Sequence, residues 1–218
     1  NALNDGMDAQ YQTAVFDTYS EMLRKSVLWT AFGDHDGLSS DSATQTGPYY
    51  DIFTLPKSAE AGGIPSLTEA YYSFDYGNIH FIVLDPTESD RSPSAAMLQW
   101  AQQDIAATSR DWVIAVWHQA PYSKGNHDSD TEDSMVQMRT NALPILEQAG
   151  VDLTLTAHSH SYERTFLIDG HYGLSSTFGP AVTKDGGNGR IDGSGAYRKA
   201  TAGRAPHEGT VNVVAGSA

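Results

Sequence analysis

The sequence of 218 residues predicts an α/β fold, in which helices cover a largely buried sheet. Segments typical of strands alternate along the chain with segments of helical periodicity. Two strand segments, residues 112–117 and 151–156, are rich in apolar residues, as expected for strands that are covered on both faces. Histidines follow the ends of these strands, so we expect the functional residues at the corresponding edge of the sheet.

The first third of the chain is predicted to contain one helix and one strand. Apolar residues recur at helical spacing over residues 8–25, where Asp8 is available as the N-cap. A short strand is expected at residues 27–32. Residues 38–70 are rich in Ser, Thr, Gly and Pro, which predicts a long loop.

The middle of the chain predicts a hairpin and a helix ahead of the first buried strand. Residues 71–76 and 79–84 have the pattern of two strands joined by a turn at Gly77-Asn78. Residues 92–108 have helical periodicity. These elements continue the alternation of strand and helix.

The last part of the chain is predicted to begin with a helix at residues 135–149 that is interrupted at Pro144. After the second buried strand, residues 164–168 are expected to pair with Tyr172 across a turn. The remaining predicted elements are a surface excursion with eight glycines at residues 173–203 and a final strand at residues 210–215.

The composition excludes several classes of protein. The chain has 27 acidic and 13 basic residues, so its formal charge of −14 argues against a basic nucleic-acid-binding face and a polybasic membrane contact. It has no cysteine, which excludes disulfide scaffolds, thiolate zinc sites and cysteine nucleophiles. No apolar run reaches the roughly 18 residues that a membrane span needs. An acidic chain can still act on anions when it carries metal ions.

Four of the eight histidines lie just beyond the ends of predicted strands: His35, His118, His158 and His160. In an extended segment, the rings of His158 and His160 would face one cavity roughly 6 to 7 Å apart, which suits one ring on each of two ions. Hard ions also need oxygen ligands, and Asp34 and Asp36 flank His35. Of the other four histidines, three are interpreted as structural: His80, His171 and His207.

These segments resemble motifs of the calcineurin-like metallophosphoesterases, and in particular those of the purple acid phosphatase-like branch. The matching motifs are Gly33-Asp34-His35-Asp36, the strand that ends in His118, and Ala157-His158-Ser159-His160-Ser161-Tyr162-Glu163-Arg164. The resemblance extends over residues 1–168 and resumes at residues 209–217. It implies an α/β fold of the metallophosphoesterase type, a β-sandwich flanked by helices in αββα layers, with residues 1–218 forming one partial catalytic domain.

The resemblance also implies a role for each matching residue. Asp34, His118 and His158 would bind the second metal ion, and His160 would bind the first. His35 would contact the phosphate and help to protonate the leaving group, and His127 would contact the substrate. Glu163 and Arg164 are expected to brace the loop.

Three departures from the family pattern affect the expected metal site. The two opening motifs, which supply a bridging aspartate, are absent, so we expect a chain truncated at its N-terminus and its C-terminus. Leu3 stands at a tyrosine position, which implies a site without a coloured tyrosinate ligand. Asp34 and Ala157 replace an asparagine and a glycine. An intact relative would hold two divalent ions of Fe, Mn or Zn, whereas we expect at most one tightly bound ion in this chain.

The function implied by the resemblance is metal-dependent hydrolysis of small phosphate esters, with monoesters favoured, in a secreted or periplasmic protein. Two alternatives remain open. In the first, the chain is a catalytically inactive fragment of this fold that binds metal or phosphate. In the second, it is a protein that binds a single metal ion through histidines. No nucleic-acid partner and no membrane span are expected.

Overall fold

The computed structural model describes residues 4–216, and a mixed sheet forms its centre. The strands are β1 (Tyr72–Tyr76), β2 (Ile79–Val83), β3 (Trp112–Gln119), β4 (Leu153–Ala157), β5 (Tyr162–Arg164), β6 (Leu167–Ile168), β7 (Thr183–Asp185) and β8 (Val211–Ala215). Six of them form the main sheet in the order β1-β2-β3-β4-β8-β5. The four inner strands are parallel, and the edge strands β1 and β5 are antiparallel to their neighbours. The inner strands therefore end at one common edge.

Helices flank this sheet. They are α1 (Asp8–Tyr11), a π-helical segment (Gln12–Asp17), α2 (Ser20–Leu23), α3 (Pro48–Ile52), α4 (Ala96–Ala107), α5 (Asp133–Gln137), a second π-helical segment (Met138–Ala142) and α6 (Leu143–Ala149). Between residues 4 and 216, no helix is both long and apolar enough to cross a bilayer.

The helices α4 and α6 cover one face of the main sheet. The ladder partners Ile82 and Ala115 are fully buried on this face. They belong to the same core as Met97, Leu98 and Ile105 of α4. The burial of these apolar side chains stabilises the layer, at about 25 cal/mol per Å² of apolar surface removed from water.

The opposite face carries apolar ladder partners that are only half-buried. They are Phe81, Ile114, Leu153, Val211, Val116, Leu155 and Val213. Part of this face is covered by an aromatic cluster that includes Tyr11, Phe32, Tyr49, Tyr72 and Phe74. Within residues 4–216, the second sheet consists of β6 and β7 alone. The predicted α/β class, a multi-stranded sheet flanked by helices, is confirmed.

Two local predictions of strand pairing are wrong. Residues 27–32 form no strand, because aromatic side chains hold them in place of a ladder: the Tyr72 hydroxyl donates to the Thr30 carbonyl at 2.7 Å, and Trp29 stacks on Phe74 at 4.2 Å between ring centroids. The segment at residues 164–168 does not pair with Tyr172. Instead, β6 pairs with β7, so the excursion at residues 173–203 contains a strand and two short 3₁₀ turns.

The helix predicted at residues 135–149 is present, and its interruption takes a specific form. Pro144 lies in the first turn of α6 and lacks the N–H group that a helix interior requires. The π-helical segment Met138–Ala142 precedes it and links α5 to α6. A wider turn of this kind accommodates a local change in the hydrogen-bond pattern without ending the helix.

Candidate metal centre

Three side chains converge at the edge where the parallel strands end. β3 carries His118, His158 follows β4 directly, and Asp34 lies in the loop before the 3₁₀ turn Asp36–Leu38. His118 Nε2 lies 2.8 Å from Asp34 Oδ1, and His158 Nδ1 lies 3.3 Å from Asp34 Oδ2. The two ring nitrogens are 3.1 Å apart. The structure thus brings together three of the four metal ligands that the resemblance implies.

The spacing of these donor atoms fits one divalent ion. Ligands about 2.0 to 2.2 Å from a tetrahedral ion lie roughly 3.3 to 3.6 Å from one another. The three side chains approach one another at 2.8, 3.1 and 3.3 Å, counting either oxygen of Asp34, so small shifts bring them to that range. One carboxylate with two imidazoles is a common donor set for zinc. The group therefore has the residue types and the spacing that hold a metal ion.

Burial and charge act differently on the two histidines. Burial lowers the pKa of His118, which keeps its ring neutral, the form that binds metal. Burial also lowers the pKa of His158, but hydrogen bonds to Asp34 and Glu132 outweigh it, so the net direction is upward. Binding of an ion would replace the proton that His158 holds between itself and Asp34.

The backbone at His158 separates it from His160. The segment is not extended as predicted, because His158 has a positive φ of 64° and the Ser159 N–H donates to the Ala157 carbonyl at 2.8 Å. This three-residue turn directs His158 inward. His160 is exposed, and its backbone N–H donates to Asn126 Oδ1 at 2.6 Å. The structure does not bring the His160 ring into the group.

The two histidines expected to contact the substrate occupy different places. The Nδ1 atom of His35 lies 2.6 Å from the Asn4 carbonyl, and the residue is partly exposed at the start of the loop. Asp36, beside it, is buried and accepts hydrogen bonds from the Gly33 N–H at 2.9 Å and from the Tyr11 hydroxyl. Asp36 therefore braces the loop, and it is not part of the three-donor group.

His127 lies against His158 and introduces a carboxylate that the sequence analysis missed. Their ring centroids are 3.8 Å apart. Glu132 Oε1 lies 2.9 Å from His127 Nδ1, and Glu132 Oε2 lies 3.0 Å from His158 Nε2. In the sequence, Glu132 is one of several acidic residues in the loop after β3, with Asp128, Asp130 and Asp133. No spacing rule distinguishes it from these neighbours.

Glu163 supports the loop that carries His127. Its carboxylate accepts hydrogen bonds from the Ser123 hydroxyl at 2.6 Å, the Lys124 N–H at 2.9 Å and the Ser161 hydroxyl at 2.7 Å. These contacts join the loop after β3 to the segment after β4. They are consistent with the bracing role expected of this residue.

Two other histidines have carboxylate partners away from the sheet edge. His80 is fully buried, with its ring nitrogens 2.8 Å from Asp75 Oδ1 and 2.7 Å from Asp104 Oδ2. His207 faces Asp169 with one nitrogen and a glutamine side chain with the other. Both nitrogens of each ring have a polar side-chain partner, and neither ring lies in the group of Asp34, His118 and His158.

Comparison with known proteins gives a consistent result. A model of the calcineurin-like phosphoesterase family matches residues 4–162, which include Asp34, His118, His158 and Glu132 but not Glu163. Leu3, at the expected tyrosine position, lies outside the residues that the structure describes.

Several purple acid phosphatases are similar in sequence. Purple acid phosphatase 18 of Arabidopsis thaliana is 32% identical over 56% of this chain and 28% of its own length. Purple acid phosphatase 23 of the same plant is 30% identical over 73% of this chain and 33% of its own length. Tartrate-resistant acid phosphatase type 5 of Rattus norvegicus is 25% identical over 74% of this chain and 51% of its own length.

One similar solved structure is that of a purple acid phosphatase from yellow lupin seeds, at 19% identity and a TM-score of 0.45 over 74% of this chain and 28% of that chain. The chain spans about a third of the length of the first curated relatives that it matches. The family match over most of the chain identifies it: the chain belongs to the calcineurin-like phosphoesterase family, in its purple acid phosphatase branch.

Proposed function

We propose that this chain hydrolyses small phosphate monoesters with a divalent ion held by Asp34, His118 and His158. The observation that carries the proposal is the convergence of three ligand side chains, each within 3.3 Å of the other two, at the edge where the parallel strands end. A divalent ion at such a site supplies positive charge for the phosphoryl oxygens and activates water. It also explains how a chain with a net charge of −14 attracts an anionic substrate.

We propose roles in substrate binding and proton transfer for His127 and His35. Glu132 holds Nδ1 of His127, so Nε2 is the nitrogen that we expect to meet a phosphate oxygen. The Asn4 carbonyl holds Nδ1 of His35 in the same way, which leaves Nε2 to protonate the leaving oxygen. Both rings have one nitrogen fixed by an acceptor, and this fixes their orientation.

A second candidate function is a binding module that holds a metal ion or phosphate without turnover. The exposed position of His160 favours it, because His160 would have to supply a ligand to a second ion. Two dications about 3.5 to 4 Å apart also need an anion between them. We therefore propose at most one tightly bound ion per chain.

Turnover of p-nitrophenyl phosphate with added Mn²⁺, Fe²⁺ or Zn²⁺ tests the proposal. We expect turnover that depends on the metal and one ion per chain by elemental analysis. His118→Ala should remove both, with a loss of at least about 100-fold in rate. His207→Ala, which changes an exposed histidine away from the site, is the matched control and should leave both unchanged.

The outcomes separate the candidates. One bound ion without turnover would favour the binding module. Two ions per chain, together with loss of turnover in His160→Ala, would contradict the one-ion site. Turnover that survives both His118→Ala and removal of metal would contradict the proposed function itself.

A further inference from the structure

Glu132 is a single carboxylate shared by two imidazoles. Its Oε1 atom lies 2.9 Å from His127 Nδ1, and its Oε2 atom lies 3.0 Å from His158 Nε2. The Asp128 N–H also donates to Oε1, at 3.1 Å. The His158 side chain is only 10% exposed, whereas Glu132 and His127 are about one third exposed. Glu132 therefore lies on the solvent side of a buried ring.

The carboxylate determines which nitrogens carry hydrogen. An ionised carboxylate only accepts hydrogen bonds, so the nitrogens that face it, His158 Nε2 and His127 Nδ1, must both be donors. Asp34 Oδ2 faces the other nitrogen of His158 at 3.3 Å, so a ring with a single hydrogen keeps it on Nε2, toward the nearer carboxylate of Glu132, and has its lone pair on Nδ1. This is the atom that lies 3.1 Å from His118 Nε2 and 3.3 Å from Asp34 Oδ2.

Glu132 could also be read as a metal ligand, because it forms a second group of possible donors with His127 and His158. That reading would require the lone pair of His158 to be on Nε2. One neutral imidazole has a single lone pair in its plane, so an ion bound at Nδ1 and an ion bound at Nε2 exclude each other. The group with His118 is the more buried of the two, because His118 is 7% exposed, and its donor atoms are spaced for one ion.

We propose that Glu132 is a positioning residue, which fixes the Nε2–H tautomer of His158 and holds the His127 ring against it. This rests on the proposed function, because it assigns the supporting contact of a metal ligand at that site. A carboxylate behind a ligating histidine orients the ring and raises its basicity. Glu132 in addition connects this ligand to the histidine that we expect to contact the substrate.

The experiment compares Glu132→Gln with Asp133→Asn. The first change is isosteric and removes the acceptor-only character of the side chain. The second removes an exposed charge from the adjacent residue and serves as the matched control. Long-range ¹⁵N–¹H NMR spectra of the metal-free proteins at about pH 9, where ordinary imidazoles are neutral, report the tautomer of His158. Competition with a chelator reports the affinity for Zn²⁺.

We expect His158 to be the Nε2–H tautomer in the wild type and in Asp133→Asn, and a mixture of tautomers in Glu132→Gln. The Zn²⁺ affinity of Glu132→Gln should fall about 10- to 100-fold. In the Zn²⁺-loaded wild type, Nδ1 should bind the metal and Nε2 should still carry hydrogen. Glu132→Ala gives a second measurement of affinity, and the dispersion of the same spectra shows whether each variant is folded.

Neither readout depends on turnover, so the outcomes distinguish this inference from the proposed function. Zn²⁺ bound at His158 Nε2 in the wild type would overturn it. The inference would also be overturned if a folded Glu132→Gln variant had a Zn²⁺ affinity within twofold of wild type and the same His158 tautomer. A tautomer shift and an affinity loss in a protein that hydrolyses no phosphate ester would support the positioning role and contradict the proposed function alone.

Discussion

At the residue scale, Asp34 differs from the neutral amide that the family pattern has at this position. Its carboxylate contacts both His118 and His158, so in the absence of an ion it takes part in two charge-assisted contacts. A carboxylate adds one negative charge to the donor set, which should strengthen ion binding and weaken the ion as a Lewis acid. Removal of this charge should therefore lower the affinity for the ion and raise the rate per bound ion.

Asp34→Asn should bind a divalent ion about tenfold or more weakly, because the variant loses the charge of one ligand, and tenfold corresponds to about 1.4 kcal/mol. Turnover per bound ion should rise, or the rate profile should shift to lower pH. Chelator competition and pH–rate profiles with p-nitrophenyl phosphate measure these changes. Asp51→Asn removes the same charge at an exposed position and is the control. Unchanged affinity and kinetics would mean that Asp34 is not a ligand.

The sequence predicts the members of the metal group better than their geometry. His118 and His158 follow buried parallel strands, and the ends of such strands meet at one edge, so their proximity was predictable. The position of His160 was not, because a positive φ at a histidine leaves no mark in the sequence. The contact of Glu132 with the rings was not predictable either, since only the fold shows which acidic residue of its loop faces them.

At the element scale, α6 is joined to the turn after β6 by a buried carboxyl group. Glu147 is 2% exposed and accepts hydrogen bonds from the Gly170 N–H at 2.9 Å and the Tyr172 hydroxyl at 2.5 Å. Asp169 is close to it and is paired with His207 and Lys184. Burial, together with the charge of Asp169, raises the pKa of Glu147 to about 7.

This shift gives the stability of the chain a defined pH dependence. The pKa is about 4.5 when Glu147 is exposed and about 7 in the folded state, so within that window the folded state holds a proton that the unfolded state has lost. The contribution to stability is full below pH 4.5 and is lost as the pH rises through 7, at up to about 1.4 kcal/mol per pH unit.

Glu147→Gln should remove this slope, because its amide can accept from Tyr172 and donate to Asp169 at every pH. We expect the variant to be more stable than wild type at pH 8, by about 1 to 3 kcal/mol, and similar at pH 4.5. Urea unfolding at several pH values measures the difference. Glu21→Gln, at an exposed residue, should follow the wild type. A wild-type slope retained in Glu147→Gln would contradict the assignment.

Elements with local signals were predicted and those that depend on distant partners were not. The hairpin of β1 and β2 and the helix α4 have turn residues or an apolar face within their own sequence. Residues 27–32 have strand-like composition but pair with no strand, since a ladder needs a neighbour that local sequence does not reveal. The partner of β6 lies beyond Tyr172, in β7, for the same reason.

At the scale of the whole molecule, charge is the property that the sequence determines directly. The formal charge of −14 belongs to one folded chain, whose 27 acidic groups outnumber its 13 basic groups. Folding brings these charges closer together than they are in the unfolded chain, so the net repulsion opposes the compact state. Exposed pairs such as Lys124 with Asp128 offset little of this, because a surface ion pair contributes at most about 1 kcal/mol.

Salt should therefore stabilise the fold, and more strongly at neutral pH than at acidic pH. The screening length falls from about 30 Å at 0.01 M salt to about 8 Å at 0.15 M, so repulsion across the molecule is largely removed over that range. Protonation of the histidines reduces the formal charge, to a limit of −14 + 8 = −6 when all eight carry a proton. Repulsion grows roughly as the square of the charge, so the effect of salt should be smaller at about pH 5 than at pH 7 and would be roughly one fifth at that limit.

The measurement is the melting temperature in NaCl at the two pH values, with a chelator present so that specific ion binding does not contribute. Sulfate is avoided because its exclusion from the surface stabilises folded proteins regardless of their charge. The expected result is a rise in melting temperature with NaCl at pH 7 and a smaller rise at pH 5. Equal rises at both pH values would show that screening of net charge is not the cause. A fall in melting temperature with NaCl at pH 7 would mean that screening weakens local ion pairs, such as those around Asp34 and Glu132, by more than it weakens the net repulsion.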